Sequence, residues 1–144
     1  MKIVLGDEAG DHLRLAVTSY AHPGGLHVYD HNWLFSEVGM RTAARAFRCH
    51  AFLRTADFAG FAEGLQAVLS GEAGRAEFMP DDPWVTVCVV AEAAGFGVEV
   101  TARDGGSERV TGFRYAVDRS QLEELASDIH AVAARFPEVT GEPS

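Results

Sequence analysis

The stretch TADFAGFAEGLQAVLSG, residues 55–71, decides the fold, because the hydrophobic period changes there from two to about 3.6. We predict a helix over about residues 56–70, with Thr55 capping its start and Gly71 ending it. Its large apolar side chains share one stripe: Phe58, Phe61, Leu65, Val68 and Leu69. The chain is therefore expected to divide into two parts around one amphipathic helix.

Short alternating runs before this helix indicate half-buried strands. Residues 12–17 have one apolar face, and a proline-glycine turn separates them from a strand that begins at about Leu26. A further run at 41–54 is apolar on one side, with Arg48 and His50 on the other. We predict four strands in this first part.

After the helix, the sequence predicts three strands joined by turns. The pairs Asp-Gly and Gly-Gly in RDGGSE, residues 103–108, tolerate the positive φ of a tight hairpin. The predicted strands are 84–92, 97–103 and 109–117. Their short connections favour antiparallel pairing.

A second helix follows, where Ser120 and Glu123 are spaced as a capping box and Pro137 stops the helix. Its apolar stripe consists of Leu122, Leu125, Ile129, Val132 and Phe136. The whole pattern predicts an α+β fold in the order ββββ-α-βββ-α, with one antiparallel sheet of about seven strands packed by two helices. No repeat or linker interrupts it, so we expect one domain over residues 1–137 and a flexible tail at 138–144.

Charge differs between the two parts of this 144-residue chain, whose formal net charge is −9. Residues 1–54 carry a balance of +1, whereas residues 55–144 carry −10. A field of this sign disfavours nucleic acid and favours a basic partner, although solubility alone also explains many acidic domains.

The first residues lack the apolar core of a signal peptide, and no apolar run is long enough to cross a membrane. Cys49 and Cys88 lie in apolar strand-like runs without zinc spacing. We therefore expect a cytoplasmic protein with no membrane association and no cofactor.

Histidines offer one candidate ligand site, because His27, Tyr29 and His31 would share one face of a strand beside Asp30. Neither HExxH nor a cysteine pair supports a metal there. A small-ligand or metal-binding domain using His27 and His31 remains the alternative to structural or surface histidines.

Recognisable catalytic motifs are absent from the sequence. No serine or cysteine lies in a GxSxG elbow, and the glycines of AAGFGVEV lack the lysine and helix of a phosphate loop. We expect a binding protein and not an enzyme. Trp33 and Trp84 are either core anchors or rim aromatics of a binding site.

Three segments resemble the WapI-type immunity proteins, small bacterial proteins that protect a cell from a polymorphic toxin. They are DHNWLF at 30–35, the strand, helix and Gly-Glu-Ala turn from Arg45 to Phe78, and GFRYAVDRSQLEELASDI at 112–129. The resemblance implies a non-catalytic protein that binds and blocks a toxin domain, often a nuclease with a basic cleft.

The acidic second part suits such a role, since complementary charge accelerates capture of a basic partner. We expect a basic protein such as a toxin domain to bind five carboxylates: Asp81, Asp82, Glu123, Glu124 and Asp128. The sequence leaves the oligomeric state open.

Overall fold

A computed structural model describes residues 1–20, 32–80 and 84–138. Within these ranges the chain forms eight strands and two helices in the order ββββαββββα. In chain order they are β1 (Lys2–Gly6), β2 (His12–Tyr20), β3 (Trp33–Arg41), β4 (Ala46–Arg54), α1 (Thr55–Ser70), β5 (Arg75–Phe78), β6 (Val85–Glu92), β7 (Gly95–Arg103), β8 (Val110–Val117) and α2 (Arg119–Arg135).

The strands form two four-stranded antiparallel sheets, β1-β2-β3-β4 and β5-β6-β7-β8. This corrects the expectation of a single sheet of about seven strands. Alternation in a sequence shows which face of a strand is apolar but not which strand it pairs with. The α+β class and the antiparallel pairing are confirmed, and the additional strand is β5.

The first sheet is a meander whose apolar face is closed to solvent. Leu13, Leu15 and Val17 of β2 are buried, as their alternation predicts. The pairing of β2 with β3 shifts register between Val17 and Ser19, which marks a bulge near the end of β2. The strand expected to begin at Leu26 lies outside the described residues, and β3 begins at Trp33.

Helix α1 buries the predicted stripe, but it begins one residue before the predicted start. The N-cap is Arg54, whose backbone N–H donates to the Asp57 carboxylate at 3.2 Å. Thr55 was expected as the cap; instead its buried hydroxyl donates to the Phe136 carbonyl. Gly71 ends the helix with φ of 83°, as predicted.

Helix α2 also buries its stripe, and its cap differs from the predicted one. The N-cap is Asp118, whose carboxylate accepts the Gln121 N–H at 2.8 Å. The Gln121 side-chain oxygen accepts the Asp118 N–H at 2.9 Å, which completes a capping box. Ser120 therefore lies inside the first turn, and Glu123 lies in the second. Both pairs fit the same spacing rule, and the pair nearer the strand end forms the cap.

The two helices pack on each other, and the core lies between them and the sheets. Helix α1 also packs on β5, where the Phe58 and Phe61 rings lie 5.1 and 5.7 Å from the Phe78 ring. The β3–β4 and β7–β8 turns meet through an ion pair of 2.5 Å between Arg45 Nη2 and Asp104 Oδ2. Each half of the chain is thus held against the other by apolar and ionic contacts.

Neither described helix combines the length and apolar character that a bilayer-spanning helix needs.

Candidate partner-binding surfaces

The three predicted partner-binding carboxylates of α2 are all exposed. Glu123 accepts a hydrogen bond from Arg119 Nε at 3.1 Å, a pair one helical turn apart. Glu124 and Asp128 are also one turn apart, so they lie on the same side of the helix. Of the three acids, Glu124 and Asp128 give this surface its concentrated negative charge.

Glu124 and Asp128 line a groove of about 350 Å³ between α2, β1 and β8. Lys2 and Glu8 also line it, so one cation faces three carboxylates. Tyr115 forms part of the wall, and burial raises the pKa of its hydroxyl to about 12. The groove is therefore acidic at neutral pH, with a neutral phenol on one side.

The remaining described acids of the second part are spread over other surfaces. On the outer face of the second sheet, Glu77 pairs with Arg75, and Glu92 accepts from Arg114 Nη2 at 2.8 Å. Glu63 lies exposed on α1. Among the described residues, the acidic side chains do not form one continuous negative face, and α2 carries the most coherent group of them.

Four of the predicted site residues fall outside the described residues: Asp81, Asp82, His27 and His31. Tyr29 and Asp30, proposed beside the histidines, also lie there. Across residues 1–20, 32–80 and 84–138, no three His, Cys, Asp or Glu side chains are grouped as metal ligands.

A second concave surface, which the sequence did not predict, lies on the outer face of the first sheet. It is a trough of about 690 Å³ across β2, β3 and β4. Gly39 lies directly between Arg14 and Arg48 in the cross-strand register, and Arg41 occupies the neighbouring row. The sequence placed Arg48 and His50 on an outer side, but only the pairing of three strands brings the arginines together. We call this surface the arginine trough.

Aromatic side chains continue the same face toward the other end of β3 and β4. The Phe35 ring stacks on His50 with centroids 4.9 Å apart and lies 5.7 Å from the Phe52 ring. Where Trp33 of β3 pairs with Arg54 of β4, the Arg54 guanidinium lies 5.4 Å from the centre of the Trp33 ring. We call Trp33, Phe35, His50 and Phe52 the aromatic rows. Trp33 is thus partly exposed on a surface, whereas Trp84 packs against the core.

Both cysteines are free thiols, and both are partly buried. Burial raises the pKa of Cys49, whose Sγ lies 3.6 Å from the Arg103 carbonyl, and burial also raises the pKa of Cys88. A raised pKa keeps a thiol protonated and weakly nucleophilic at neutral pH. These groups do not support thiol catalysis.

Comparisons with known proteins give one family and several distant folds. A model of the immunity protein WapI-like family matches residues 4–137. No curated protein matches this chain.

Among solved structures, the chain is similar to MRP1/MRP2 of Trypanosoma bruciei, with 14% identity, a TM-score of 0.49 and coverage of 94% of this chain and 83% of that one. It is also similar to WHY1 from Arabidopsis thaliana, with 13% identity, a TM-score of 0.46 and coverage of 98% and 91%. With TM-scores below 0.5, these likenesses say nothing about what this chain binds.

Proposed function

Because the chain belongs to the WapI-like immunity protein family, we propose that it is an immunity protein that neutralises a bacterial toxin domain by binding it in the cytoplasm. In this proposal the protein catalyses no reaction and blocks its partner by occupying a surface. The family match over residues 4–137 is the observation that carries the proposal.

The outward side of α2 is the proposed contact with the toxin. Glu124 and Asp128 are exposed and border the acidic groove, into which a lysine or arginine side chain of the partner would fit. Opposite charge steers two proteins together and raises the association rate, with a strong dependence on ionic strength. Asp81 and Asp82 belong to the same proposal as further carboxylates of this interface.

The first test is protection of cells. A toxin domain encoded next to the gene for this chain is sought and expressed in a bacterial host with and without the chain. We expect growth only when the chain is present, together with a stable complex on size-exclusion chromatography. Continued killing in the presence of the folded chain would overturn toxin neutralisation.

The second test addresses the surface. We expect Glu124→Lys combined with Asp128→Lys to lower the association rate constant with the toxin domain about tenfold or more at low salt, because steering by complementary charge contributes factors of that size. The matched control is Glu63→Lys combined with Glu72→Lys, which changes the net charge equally on exposed positions in and just after α1. Equal rates for both double variants would remove α2 from the interface while leaving the immunity function in place.

A further inference from the structure

We propose that the outer face of the first sheet is a second binding surface, whose arginine trough and aromatic rows hold a short single-stranded nucleic acid. This surface is distinct from the α2 carboxylates and does not depend on the proposed toxin contact.

The floor of the trough leaves room for a ligand. Gly39 has no side chain and lies between Arg14 and Arg48, and Ala46 lies opposite Arg41 in the next row. Ala16 adds a third small side chain to the lining. Small residues on the floor and long basic side chains at the sides explain the volume of about 690 Å³.

Guanidinium groups bind phosphate with pairs of N–H donors, so this arrangement favours a phosphate chain. Arg14 already uses Nη2, which lies 3.3 Å from the Glu8 carboxylate. Its buried Nε has no hydrogen-bond partner among the described residues. An unsatisfied buried donor is costly, and a bound phosphate oxygen would relieve it after a small rotation of the side chain.

The aromatic rows supply the complementary part of a nucleotide site, because bases stack on exposed rings irrespective of sequence. Phe52 is 44% exposed although it is a large apolar side chain on a strand. It lies four residues from Arg48 on the same face of β4, about 13 Å at the usual rise per residue. Stacked nucleotides rise about 3.4 Å each, so a segment of about four spans that distance.

The local charge of this face differs from the net charge of the chain. Among the described residues, the trough carries Arg14, Arg41 and Arg48 against Glu8 and Glu37, and Glu37 lies 3.9 Å from Arg48. Charges farther away than a Debye length of about 8 Å are largely screened at physiological ionic strength. The net charge of −9 weakens the interaction but leaves this face attractive to phosphates.

The outer face of the second sheet provides an internal contrast. Arg75 and Arg114 there are engaged by Glu77 and Glu92, and the Arg114–Glu92 pair lies over Gly97. The glycine in that sheet is covered by an ion pair, whereas Gly39 in the first sheet has only Arg14 atoms at 4.0 Å around its Cβ position.

The experiment measures fluorescence anisotropy of labelled ten-nucleotide oligouridylate and oligothymidylate with the full chain over a range of salt concentrations. We expect binding whose logarithmic salt slope is about −2, since each of three arginine contacts contributes about −0.7 on a single strand. Arg14→Ala, Arg41→Ala or Arg48→Ala should each remove about one third of the slope. Phe52→Ala should weaken binding about fivefold or more, because stacking contributes about 1–3 kcal/mol per base.

The control is Arg75→Ala combined with Arg114→Ala, which removes two arginines from the other sheet and should leave oligonucleotide binding unchanged. Circular dichroism confirms that each variant folds. No anisotropy change at 50 mM salt and about 100 μM protein would overturn the proposal, since even non-specific binders reach this range.

A ten-residue glutamate peptide tests the competing ligand class, which is an acidic segment of a protein. If it displaces the oligonucleotide at equal concentration, and Phe52→Ala has no effect, the face binds acidic protein segments and the nucleic-acid proposal is wrong. The variant with Glu124→Lys and Asp128→Lys should still bind the oligonucleotide. Failure of this proposal is therefore separable from failure of the toxin contact.

Discussion

The first half of the chain, β1 to α1, and the second half, β5 to α2, have the same architecture: a four-stranded antiparallel meander followed by a helix. Their outer faces differ. Both carry arginine-glutamate pairs, but the first has aromatic rings and an open trough over Gly39, whereas in the second the Arg114–Glu92 pair covers Gly97. One topology thus supports a surface with an open trough and a surface whose glycine is covered by an ion pair.

The comparison also shows how the halves depend on each other. Helix α1 belongs to the first half in sequence, but it packs mainly on α2 and β5 of the second. The two halves are therefore alike in the arrangement of their elements, but they share one core.

Four substitutions, given from the largest expected effect to the smallest, probe the shared core and the contacts of the second half.

Phe58→Ala should cause the largest loss, because the ring is fully buried against Phe78 of the other half. We expect a decrease of about 3–5 kcal/mol in the free energy of unfolding, the usual result of removing a buried phenylalanine. Urea denaturation followed by circular dichroism and tryptophan fluorescence should show one shared transition. Two separate transitions would mean that the halves fold independently. Phe52→Ala, on the outer face, should change stability by less than about 0.5 kcal/mol.

Gly6→Ala tests the place where the two sheets touch. Gly6 has φ of 96°, and an added Cβ would clash with the Asp11 carbonyl oxygen of the same hairpin and lie 2.9 Å from Cε2 of Phe113 in the second sheet. We expect a loss of about 3 kcal/mol, from a left-handed backbone and a steric clash together. Gly71→Ala is the control, since φ is 83° but the space is open. Its loss should be about 1 kcal/mol. Equal thermal shifts for both variants would contradict a tight contact at Gly6.

Asp118→Ala should cost about 1 kcal/mol, because it removes the side-chain cap of α2. Ser120→Ala should change stability by less than about 0.5 kcal/mol, since Ser120 is exposed within the first turn. Chemical denaturation of both variants compares the two possible caps directly. A larger effect at Ser120 would restore the cap that the sequence predicted.

The smallest effect is confined to alkaline solution. Burial raises the pKa of Tyr115 in the folded protein from its ordinary value of 10.0 to about 12, so folding favours the protonated phenol. The resulting stability is present below pH 10 and is lost as pH rises through about 12. Ultraviolet titration should show one tyrosine ionising late, and Tyr115→Phe should remove that late step. An unchanged titration curve in the variant would assign the late step elsewhere.

Periodicity predicted most of the fold, because a helix or a long strand repeats its apolar spacing several times. The stripes of α1 and α2 and the buried face of β2 all follow the sequence. Strand β5 was missed because RAEF offers only two alternations, Ala76 and Phe78. The cap of α2 was misassigned because Asp118 and Gln121 fit the same spacing rule as Ser120 and Glu123. The cap of α1 was misassigned because Arg54 is not a residue type that the N-cap rule favours.

The candidate site was less predictable, since a binding surface is assembled from residues of several elements. Glu123, Glu124 and Asp128 could be placed on one helix from their spacing alone. The arginine trough needed the register of β2, β3 and β4, which no local pattern specifies. Asp81, Asp82, His27 and His31 remain predictions from the sequence.

The end of α2 is tied to much earlier residues. Tyr20 donates to the Pro137 carbonyl at 2.7 Å, and the Thr55 hydroxyl donates to Phe136. During synthesis, the first meander and the start of α1 therefore leave the ribosome before the acceptors of both hydroxyls, which are translated more than 80 residues after Thr55. The nascent chain completes its structure only after the last helix has left the exit tunnel.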